Sequence, residues 1–466
     1  MAAETSFLLN GLETTTSVRP DTTVLNYLRD TQKARGTKEG CAEGDCGACT
    51  VLLQRIGTNG GKPVAANSCI MTVGQADGAS ITTVEGLKSD GQLSALQSAM
   101  ACNGSSQCGF CTPGFVMAAT GLLASNASPR EEEIHEAIAG NLCRCTGYRP
   151  IVEAIQDAAG RCDLIEAPAI LTVTENTSCS GSTYHRPRSL NELLVLKAEN
   201  PDALILAGGT DLGVAHAAFE DRWSDIIATG NVDELRVCQA TDTVFEIGAA
   251  ATWHEMKELV AADYPSLATL LSRFGSVQIR SMGTVGGNIA TASPIGDGPP
   301  SLIALGAEIT LASYAHGQRT LPLEDFFLDY RKTVIRPDEV IVSITLPRKK
   351  AQTHFRVWKI SKRYDQDIST VCGAFALELD GDRIMAARVA YGGMAAIPKR
   401  ATSVEKALTG KLLDTTTCMQ AGAEIENDFA ALSDWRGSAE YRMDVAEGLP
   451  LRLAHDFAGE RVEVMA

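Results

Sequence analysis

The spacing of apolar residues predicts a small mixed sheet in the first 86 residues. Apolar and polar residues alternate there in short runs, as half-buried strands require, and Gly11 stands between the first two runs, where a hairpin turn is expected. One helix is predicted at 23–30 and should lie across the sheet. The predicted strands are 6–10, 14–18, 50–53 and 81–84.

The pattern changes to helical spacing over 93–159, so this segment is predicted to be all-helical. A stretch rich in Pro, Ser, Thr and Gly follows between about 160 and 185, and its lack of periodicity is typical of an interdomain linker. From residue 184 onward strands and helices alternate, which favours an α+β ligand-binding domain. Its predicted strands at 204–207 and 244–247 precede glycine-containing turns.

The last part of the chain begins at about residue 352. Strands are predicted at 375–379 and 384–391, followed by helices between 403 and 431. Since 466 residues exceed what one hydrophobic core supports, a multidomain α+β protein is expected. The predicted divisions are 1–86, 87–160, a linker at 161–183, 184–351 and 352–466.

Charge and cysteine content narrow the possible functions. The 57 acidic residues outnumber the 41 basic ones, and a formal charge of −16 disfavours nucleic acid and anionic membranes as partners. Without a signal-like N-terminus or a run of about 20 apolar residues, the chain is predicted to be cytoplasmic. Fourteen cysteines in that compartment indicate metal or redox chemistry rather than disulfides.

The first cysteine group has the spacing C-x4-C-x2-C-x19-C, which is typical of a plant-type [2Fe-2S] cluster. Glycines at 40, 44 and 47 would allow the backbone to wrap closely around it. The alternative is a zinc site, although zinc sites usually pair two C-x2-C units. The predicted ligands are Cys41, Cys46, Cys49 and Cys69.

A second group has the spacing C-x2-C-x31-C-x-C inside the helical segment. Pro113 and Gly114 follow its first pair, and Gly140 and Gly147 flank the second, which places both pairs at predicted helix ends. The two cysteine groups together favour a second cluster over zinc, which stays the alternative. The predicted ligands are Cys108, Cys111, Cys143 and Cys145.

Two glycine-rich loops, at 208–211 and 283–288, could grip one pyrophosphate through backbone N–H groups. Neither loop fits G-x-G-x-x-G, and His254-Glu255 is followed by Glu258, so the HExxH zinc signature fails. Ordinary turn glycines are the alternative. Hydroxyl and amide donors at Thr210, Thr284 and Asn288 would add to the backbone N–H groups.

A plant-type cluster followed by a helical C-x2-C and C-x-C domain resembles the molybdenum hydroxylase family. The sequences GGTDLG and TVGGNIATASPIGDGPP, with the run 359–368, are similar to the FAD domain of xanthine dehydrogenases. Clusters and flavin in one chain resemble the small subunit of the bacterial enzymes. The resemblance implies a ferredoxin-like β-grasp domain, a four-helix [2Fe-2S] domain, an FAD domain like that of vanillyl-alcohol oxidase (PCMH-like) and a C-terminal α+β flavoprotein domain.

The resemblance also implies cofactor contacts. Gln107 and Cys145 would lie near a molybdopterin, unless they are ordinary cluster surroundings. Tyr330 and Asp365 would lie near NAD+, although the loop 362–368 could also be a solvated charged turn. The implied FAD contacts are Leu204, Ile205, Leu206, Ala207, Gly208, Gly209, Thr210, Asp211, Phe274, Thr284, Val285, Gly286, Gly287, Asn288, Asp297, Ile341 and Lys359.

The resemblance implies an electron-transfer subunit of xanthine dehydrogenase. Electrons would pass from molybdopterin on a large partner subunit through two [2Fe-2S] clusters to FAD and then NAD+, during oxidation of hypoxanthine and xanthine to urate. This chain would hold no catalytic residue for the molybdenum reaction, and an α2β2 heterotetramer is expected. The alternatives are a molybdenum hydroxylase for aldehydes or N-heterocycles, a stand-alone iron–sulfur carrier and a zinc-stabilised structural protein.

Overall fold

The structure is a computed structural model of the 466-residue chain. It describes residues 4–55, 61–88, 90–161, 177–179, 182–219 and 223–460.

The N-terminal segment forms a five-stranded sheet with the order β2-β1-β5-β3-β4. Asn10 and Gly11, with φ of 53° and 81°, form the tight turn of the first hairpin, since such turns need positive φ. Helix α1 (Val24–Asn26) begins at Thr23, whose hydroxyl accepts a hydrogen bond from Asn26, and continues as a π-helical turn. The strands are β1 (Thr5–Leu9), β2 (Leu12–Thr16), β3 (Thr50–Gln54), β4 (Val64–Asn67) and β5 (Ser80–Thr82).

Two details of this sheet differ from the prediction. Strand β4 was not predicted, because its sequence VAAN has little β-propensity and forms a strand through pairing with β3. The strand predicted at 81–84 ends at Thr82, because Val84–Leu87 form a 3-10 turn.

The next segment contains four helices, as predicted. Their apolar faces meet in one buried core that includes Leu96, Phe115, Ile134 and Ile155. The helices are α2 (Ala95–Cys102), α3 (Thr112–Ser125), α4 (Glu131–Ile138) and α5 (Arg149–Ala158).

A four-stranded sheet with the order β6-β7-β9-β8 follows. Its first two strands lie wholly or partly inside the predicted linker at 161–183, which is therefore too long at its C-terminal end. The Ser- and Thr-rich strands lack apolar alternation and are held by pairing, β7 running parallel to β9. The elements are β6 (Thr177–Cys179), β7 (Ser182–His185), α6 (Leu190–Glu199), β8 (Leu204–Leu206), α7 (Leu212–Phe219) and β9 (Asp225–Ala228).

The following segment contains an antiparallel sheet with the order β10-β11-β16-β12-β13 and a separate two-stranded ribbon, β14-β15. Its strands are β10 (Cys238–Ala240), β11 (Val244–Gly248), β12 (Glu308–Ser313), β13 (Gly317–Pro322), β14 (Phe327–Asp329), β15 (Lys332–Thr333) and β16 (Val340–Pro347). Its helices are α8 (Trp253–Val260), α9 (Pro265–Ser272), α10 (Val277–Arg280), α11 (Val285–Ala290) and α12 (Gly298–Ala304).

The C-terminal segment has a four-stranded sheet, β17-β18-β19-β20, packed with helices around Phe375, Tyr391 and Leu449. Its predicted strands and helices are present, but α16 was not predicted, because Pro450 and many charged residues obscure its apolar face. The elements are β17 (Thr353–Ile360), β18 (Val371–Asp380), β19 (Arg383–Gly392), β20 (Lys399–Arg400), α13 (Thr402–Leu408), α14 (Thr415–Ala423), α15 (Ile425–Asp428) and α16 (Ala439–Phe457).

The chain forms two compact units. The first unit contains Met1–Arg236, Thr252–Glu255 and Gly275–Thr284, and so includes both cysteine groups and helix α10. The second contains Val237–Ala251, Met256–Phe274 and Val285–Ala466. Among the helices of the described ranges, none is both long and apolar enough to cross a membrane.

Candidate cofactor sites

The first cysteine group forms two close pairs of thiols. Cys49 and Cys69 are buried, with their Sγ atoms 3.3 Å apart. Cys41 and Cys46 form the other pair: the Cys41 N–H donates to Cys46 Sγ at 3.3 Å, and the Cys46 N–H donates to Cys41 Sγ at 3.3 Å. Asn67 links the two pairs, since its Nδ2 donates to the Gly44 carbonyl at 2.6 Å and its Oδ1 accepts from Cys49 Sγ at 3.8 Å, so all four predicted ligands lie at one site of the first unit.

Glycines give the loop before β3 its shape. Gly47 has a φ of +65°, and a Cβ there would lie 2.2 Å from the carbonyl oxygen of Gly140. A Cβ on Gly40 would lie 2.6 Å from Cys46 Sγ. Only glycine allows both the backbone conformation and these close approaches.

Hydrogen bonds stabilise thiolate in this loop. A hydrogen bond from Cys46, opposed by burial and aided by N–H groups of the loop, lowers the pKa of Cys41 to about 4. The same bond raises the pKa of Cys46 well above its usual range. Cys69 likewise lowers the pKa of Cys49, while Cys49 raises that of Cys69. The N–H donors favour thiolate, the form that binds iron.

The second group also forms pairs, and these cross between the two motifs. Cys108 Sγ lies 3.5 Å from Cys145 Sγ, and Cys143 shares a hydrogen bond with Cys111. Cys108 and Cys111 precede α3, whereas Cys143 and Cys145 lie between α4 and α5. The Cys143 N–H donates to the Tyr148 hydroxyl at 3.0 Å, which fixes the second motif. Burial raises the pKa of Cys111 to about 12.

The spacing of these pairs suits two thiolate ligands of one tetrahedral metal ion. Two thiolates on one tetrahedral metal, with bonds of about 2.3 Å, lie about 3.7 Å apart, close to the observed 3.3 and 3.5 Å. Four thiols in two pairs match the two irons of each [2Fe-2S] cluster.

A buried polar junction links the two cysteine groups. Asn141 Nδ2 donates to the Gly47 carbonyl at 2.9 Å, and the Leu142 N–H donates to the Cys46 carbonyl at 3.0 Å. Gln278 Nε2 donates to Asn141 Oδ1 at 2.8 Å. Asn141 and Gln278 are at most 1% exposed. Neither was predicted, and no local pattern identifies them, because their partners lie 94 and 137 positions away.

The first flavin loop meets the beginning of the second, Gly283 and Thr284, within the first unit. A Cβ on Gly208 would lie 2.0 Å from the Met282 carbonyl oxygen, and a Cβ on Gly283 would lie 3.1 Å from Thr210 Oγ1. The close approach of two glycine loops leaves N–H groups unscreened by side chains, which fits a pyrophosphate. Of the predicted contacts at 204–211, Leu206 has its side chain in the core with Tyr184, so only its backbone could face a ligand.

The second unit contains further residues predicted to contact FAD. Lys359 Nζ lies 2.6 Å from Asp297 Oδ2, both residues are buried, and Ser369 donates to the other carboxylate oxygen. Ile341 is buried in β16, and Phe274, just after α9, is half-buried. The predicted residues Val285–Asn288 lie in α11, where Gly286 packs against Ala249. A buried ion pair is costly to maintain, so the Asp297–Lys359 pair is a good candidate for a functional role.

The residues predicted near other cofactors are exposed. Gln107 and Cys145 lie on the surface of the helical segment. In the second unit, Tyr330 is 58% exposed and Asp365 is exposed. The guanidinium of Arg273 lies 4.3 Å from the Tyr364 ring centre and donates to the Tyr364 carbonyl at 3.0 Å, so the loop 362–368 is anchored beside α9.

Four family models match the chain in succession. A 2Fe-2S iron-sulfur cluster binding domain matches residues 7–73, and a [2Fe-2S] binding domain matches 83–156. The FAD binding domain in molybdopterin dehydrogenase matches 177–349. The CO dehydrogenase flavoprotein C-terminal domain matches 356–457. The order agrees with the resemblance noted in the sequence.

Curated relatives include several xanthine dehydrogenases. Xanthine dehydrogenase 2 of Arabidopsis thaliana is 33% identical over 87% of this chain and 36% of its own length. The xanthine dehydrogenase of Emericella nidulans is 31% identical over 97% of this chain and 38% of its own length. The chain thus spans little more than a third of the length of these relatives.

Solved structures give a second comparison. Quinoline 2-oxidoreductase from Pseudomonas putida 86 is 29% identical, with a TM-score of 0.55 over 60% of this chain and 97% of the matched chain. Carbon monoxide dehydrogenase from Oligotropha carboxidovorans is 27% identical, with a TM-score of 0.56 over 60% of this chain and 99% of that chain. The chain belongs to the molybdenum hydroxylase family, of which it has the two iron–sulfur domains and the flavin domains.

Proposed function

We propose that this chain is the electron-transfer subunit of a xanthine dehydrogenase. It would accept electrons from a molybdopterin-bearing partner that oxidises hypoxanthine and xanthine to urate, and deliver them to NAD+. The observation that carries the proposal is the succession of two four-thiol sites and the first flavin loop in one compact unit. Similarity to xanthine dehydrogenases along most of the chain supports the purine substrate.

When bound, [2Fe-2S] clusters exchange single electrons and a flavin joins two of them with a proton as a hydride. The chain supplies ligands and fixed separations. The thiol pairs would each hold one iron, and the loop N–H groups of Glu43 and Asp45 donate to Cys41 Sγ at 3.3 and 3.4 Å. Such donors stabilise negative charge on sulfur and raise the potential of a cluster held there.

Direct contacts within the first unit join the two cysteine groups and the first flavin loop. Leu142 directly precedes Cys143 of the second cysteine group, and Cys46 belongs to the first. The hydrogen bond between Leu142 and Cys46 therefore connects the two groups. On the other side, Ile70 follows the ligand Cys69 and packs closely on helix α7, since a Cβ on Gly213 would lie 2.2 Å from the Ile70 carbonyl oxygen. Helix α7 begins directly after the first flavin loop. The first cysteine group therefore lies between the second group and the flavin loop.

Exposed residues support our proposal for where the electron path meets molybdopterin and where it meets NAD+. We propose that Gln107 and Cys145 face the molybdopterin of the partner, in an α2β2 assembly, because Phe110 and Leu142 beside them expose apolar surface of the kind that subunit interfaces bury. NAD+ would bind near Tyr330 and Asp365, in the unit that contains the Asp297–Lys359 pair.

A second candidate within the family is the hydroxylation of an N-heterocycle other than a purine. Its support is the similarity to quinoline 2-oxidoreductase, which is nearly as high in identity as that to the xanthine dehydrogenases. The residues described here belong to the electron-transfer domains, so they favour neither substrate. One experiment can distinguish all of these alternatives, including an aldehyde substrate and a stand-alone carrier.

The experiment is to isolate this chain with an affinity tag, together with its partners, and to assay NAD+ reduction with different substrates. Xanthine and hypoxanthine should both support NAD+ reduction and yield urate. Reduction only with quinoline or an aldehyde would replace the purine assignment, and reduction only of artificial dyes would contradict the NAD+ assignment. Isolation of the chain without a molybdopterin subunit would favour the stand-alone carrier.

A further inference from the structure

The side chain of Gln75 links the ferredoxin-like segment to the first flavin loop. Gln75 lies in the 3-10 turn Val73–Ala76, shortly after the ligand Cys69. Its Nε2 donates to the carbonyl oxygens of Ala207 and Gly208, at 3.1 and 3.2 Å. These partners lie 132 and 133 positions away in the sequence, yet all are in the first unit.

The orientation of the Gln75 amide is set by its other contacts. Its Oε1 accepts hydrogen bonds from the N–H and the hydroxyl of Thr72, at 3.1 and 3.3 Å. Two donated and two accepted bonds fill the capacity of the amide group. The guanidinium of Arg55, which is half-buried, donates to the Gln75 backbone carbonyl. Gln75 is 8% exposed, so water competes little for these bonds.

These two hydrogen bonds orient the backbone of the flavin loop. In a trans peptide, the C=O of one residue and the N–H of the next point in opposite directions. With the carbonyls of Ala207 and Gly208 facing Gln75, the N–H groups of Gly208 and Gly209 point away from it. Neither N–H has a hydrogen-bond acceptor in the described part of the chain. Successive N–H groups turned to one side form an anion-binding concavity.

We propose that Gln75 is a positioning residue for FAD: it holds two carbonyls of the flavin loop so that the N–H groups of Gly208 and Gly209 face the pyrophosphate. The inference rests on the flavin site of the proposed function. In this role Gln75, a residue of the ferredoxin-like segment, is necessary for full flavin affinity, although it lies outside the residues matched by the FAD-binding family model.

The glycine at 209 agrees with this role. Gly209 has a φ of +74°, which other residues rarely adopt, and a Cβ there would lie 2.9 Å from Gln75 Nε2. The loop can therefore approach the amide closely enough for both hydrogen bonds only without a side chain at 209.

The test compares variants of the full-length protein. Gln75→Ala removes the donor, and Gln75→Glu preserves the shape but places carboxylate oxygens against two carbonyl oxygens. Gln97→Ala is the matched control, because Gln97 forms the same capping box with Ser94 and donates to the Val84 carbonyl at 2.9 Å, in the helical segment. The FAD dissociation constant is measured by flavin fluorescence after the flavin has been removed, and phosphorus NMR of bound FAD reports on its pyrophosphate.

We expect Gln75→Ala to raise the FAD dissociation constant about tenfold, since two hydrogen bonds that hold the loop are lost. Gln75→Glu should raise it further, and both variants should shift the pyrophosphate resonances while keeping both reduced-cluster signals in electron paramagnetic resonance (EPR). Gln97→Ala should leave the constant and the resonances unchanged. Wild-type affinity and resonances in Gln75→Ala and Gln75→Glu would overturn the inference. Failure of the unmodified protein to bind FAD would instead overturn the proposed function.

Discussion

The contact between the two cysteine groups can be tested at three glycines. Gly47 combines a φ of +65° with a Cβ position 2.2 Å from the Gly140 carbonyl oxygen. Gly114, in α3, would place a Cβ 2.2 Å from the Gly47 carbonyl oxygen and has no positive φ. Gly147 has a φ of +70°, and a Cβ added there would have no other atom within 4 Å. Alanine at each position therefore separates the backbone effect from the contact.

The expected costs follow from these geometries. Gly147→Ala should cost about 1 kcal/mol, the penalty of a left-handed conformation for a residue with a Cβ. Gly114→Ala should cost about 2 kcal/mol, because the clash outweighs the gain in helix propensity. Gly47→Ala carries the backbone penalty and the clash, and also disturbs the hydrogen bond from Asn141. Its cost should be about 4 kcal/mol.

The assay is the urea concentration at which each variant loses the visible circular dichroism of its clusters. The midpoints should fall in the order Gly147→Ala, Gly114→Ala, Gly47→Ala, with Gly147→Ala nearest to the unmodified protein. Gly11→Ala, with a φ of +81° in the distant β1–β2 turn and open space around its Cβ position, is a further control. Equal midpoints for Gly147→Ala and Gly47→Ala would refute the packing of the two cysteine loops against each other.

Two other predictions concern the iron sites and the second unit. Cys41→Ser should remove one of two reduced-cluster EPR signals and leave FAD bound; retention of both signals would contradict the ligand assignment. Burial, with a smaller contribution from Arg356 that Asp456 opposes, lowers the pKa of His354 to about 4 from its ordinary 6.5. Between these values the unfolded chain binds a proton that the folded chain does not, so stability should fall by about 2 kcal/mol from pH 6.5 to 4, after allowance for solvent screening. In His354→Gln, the urea midpoint should change less between pH 6.5 and 4 than in the unmodified protein. An unchanged slope would contradict the assignment of this pH dependence to His354.

The spacing of the cysteines was sufficient to predict which thiols lie together. All eight predicted ligands fall into two sites, because ligand spacing within a loop is a local property. The pairing of Cys108 with Cys145, rather than with Cys111, could not be predicted, since it depends on how the loop before α3 approaches the loop between α4 and α5. The helical segment was also predicted correctly, because its apolar periodicity is strong.

The residues that join the sites were not predictable in the same way. Gln75, Asn141 and Gln278 are polar residues in short turns or helices, and their partners come from distant segments. In the sequence they resemble ordinary surface residues, and their burial follows only from tertiary packing. The linker prediction failed at β6 and β7 for a related reason, since those strands are defined by pairing rather than by apolar alternation.

The central claim is that the chain carries two distinct [2Fe-2S] clusters and one FAD. The most direct test is quantitative iron, sulfide and flavin analysis of the purified protein, combined with EPR after stepwise reduction. We expect about four irons and four sulfides per chain, one FAD, and two EPR signals that develop at different potentials. Zinc in place of iron, or a single signal that accounts for all the iron, would contradict it.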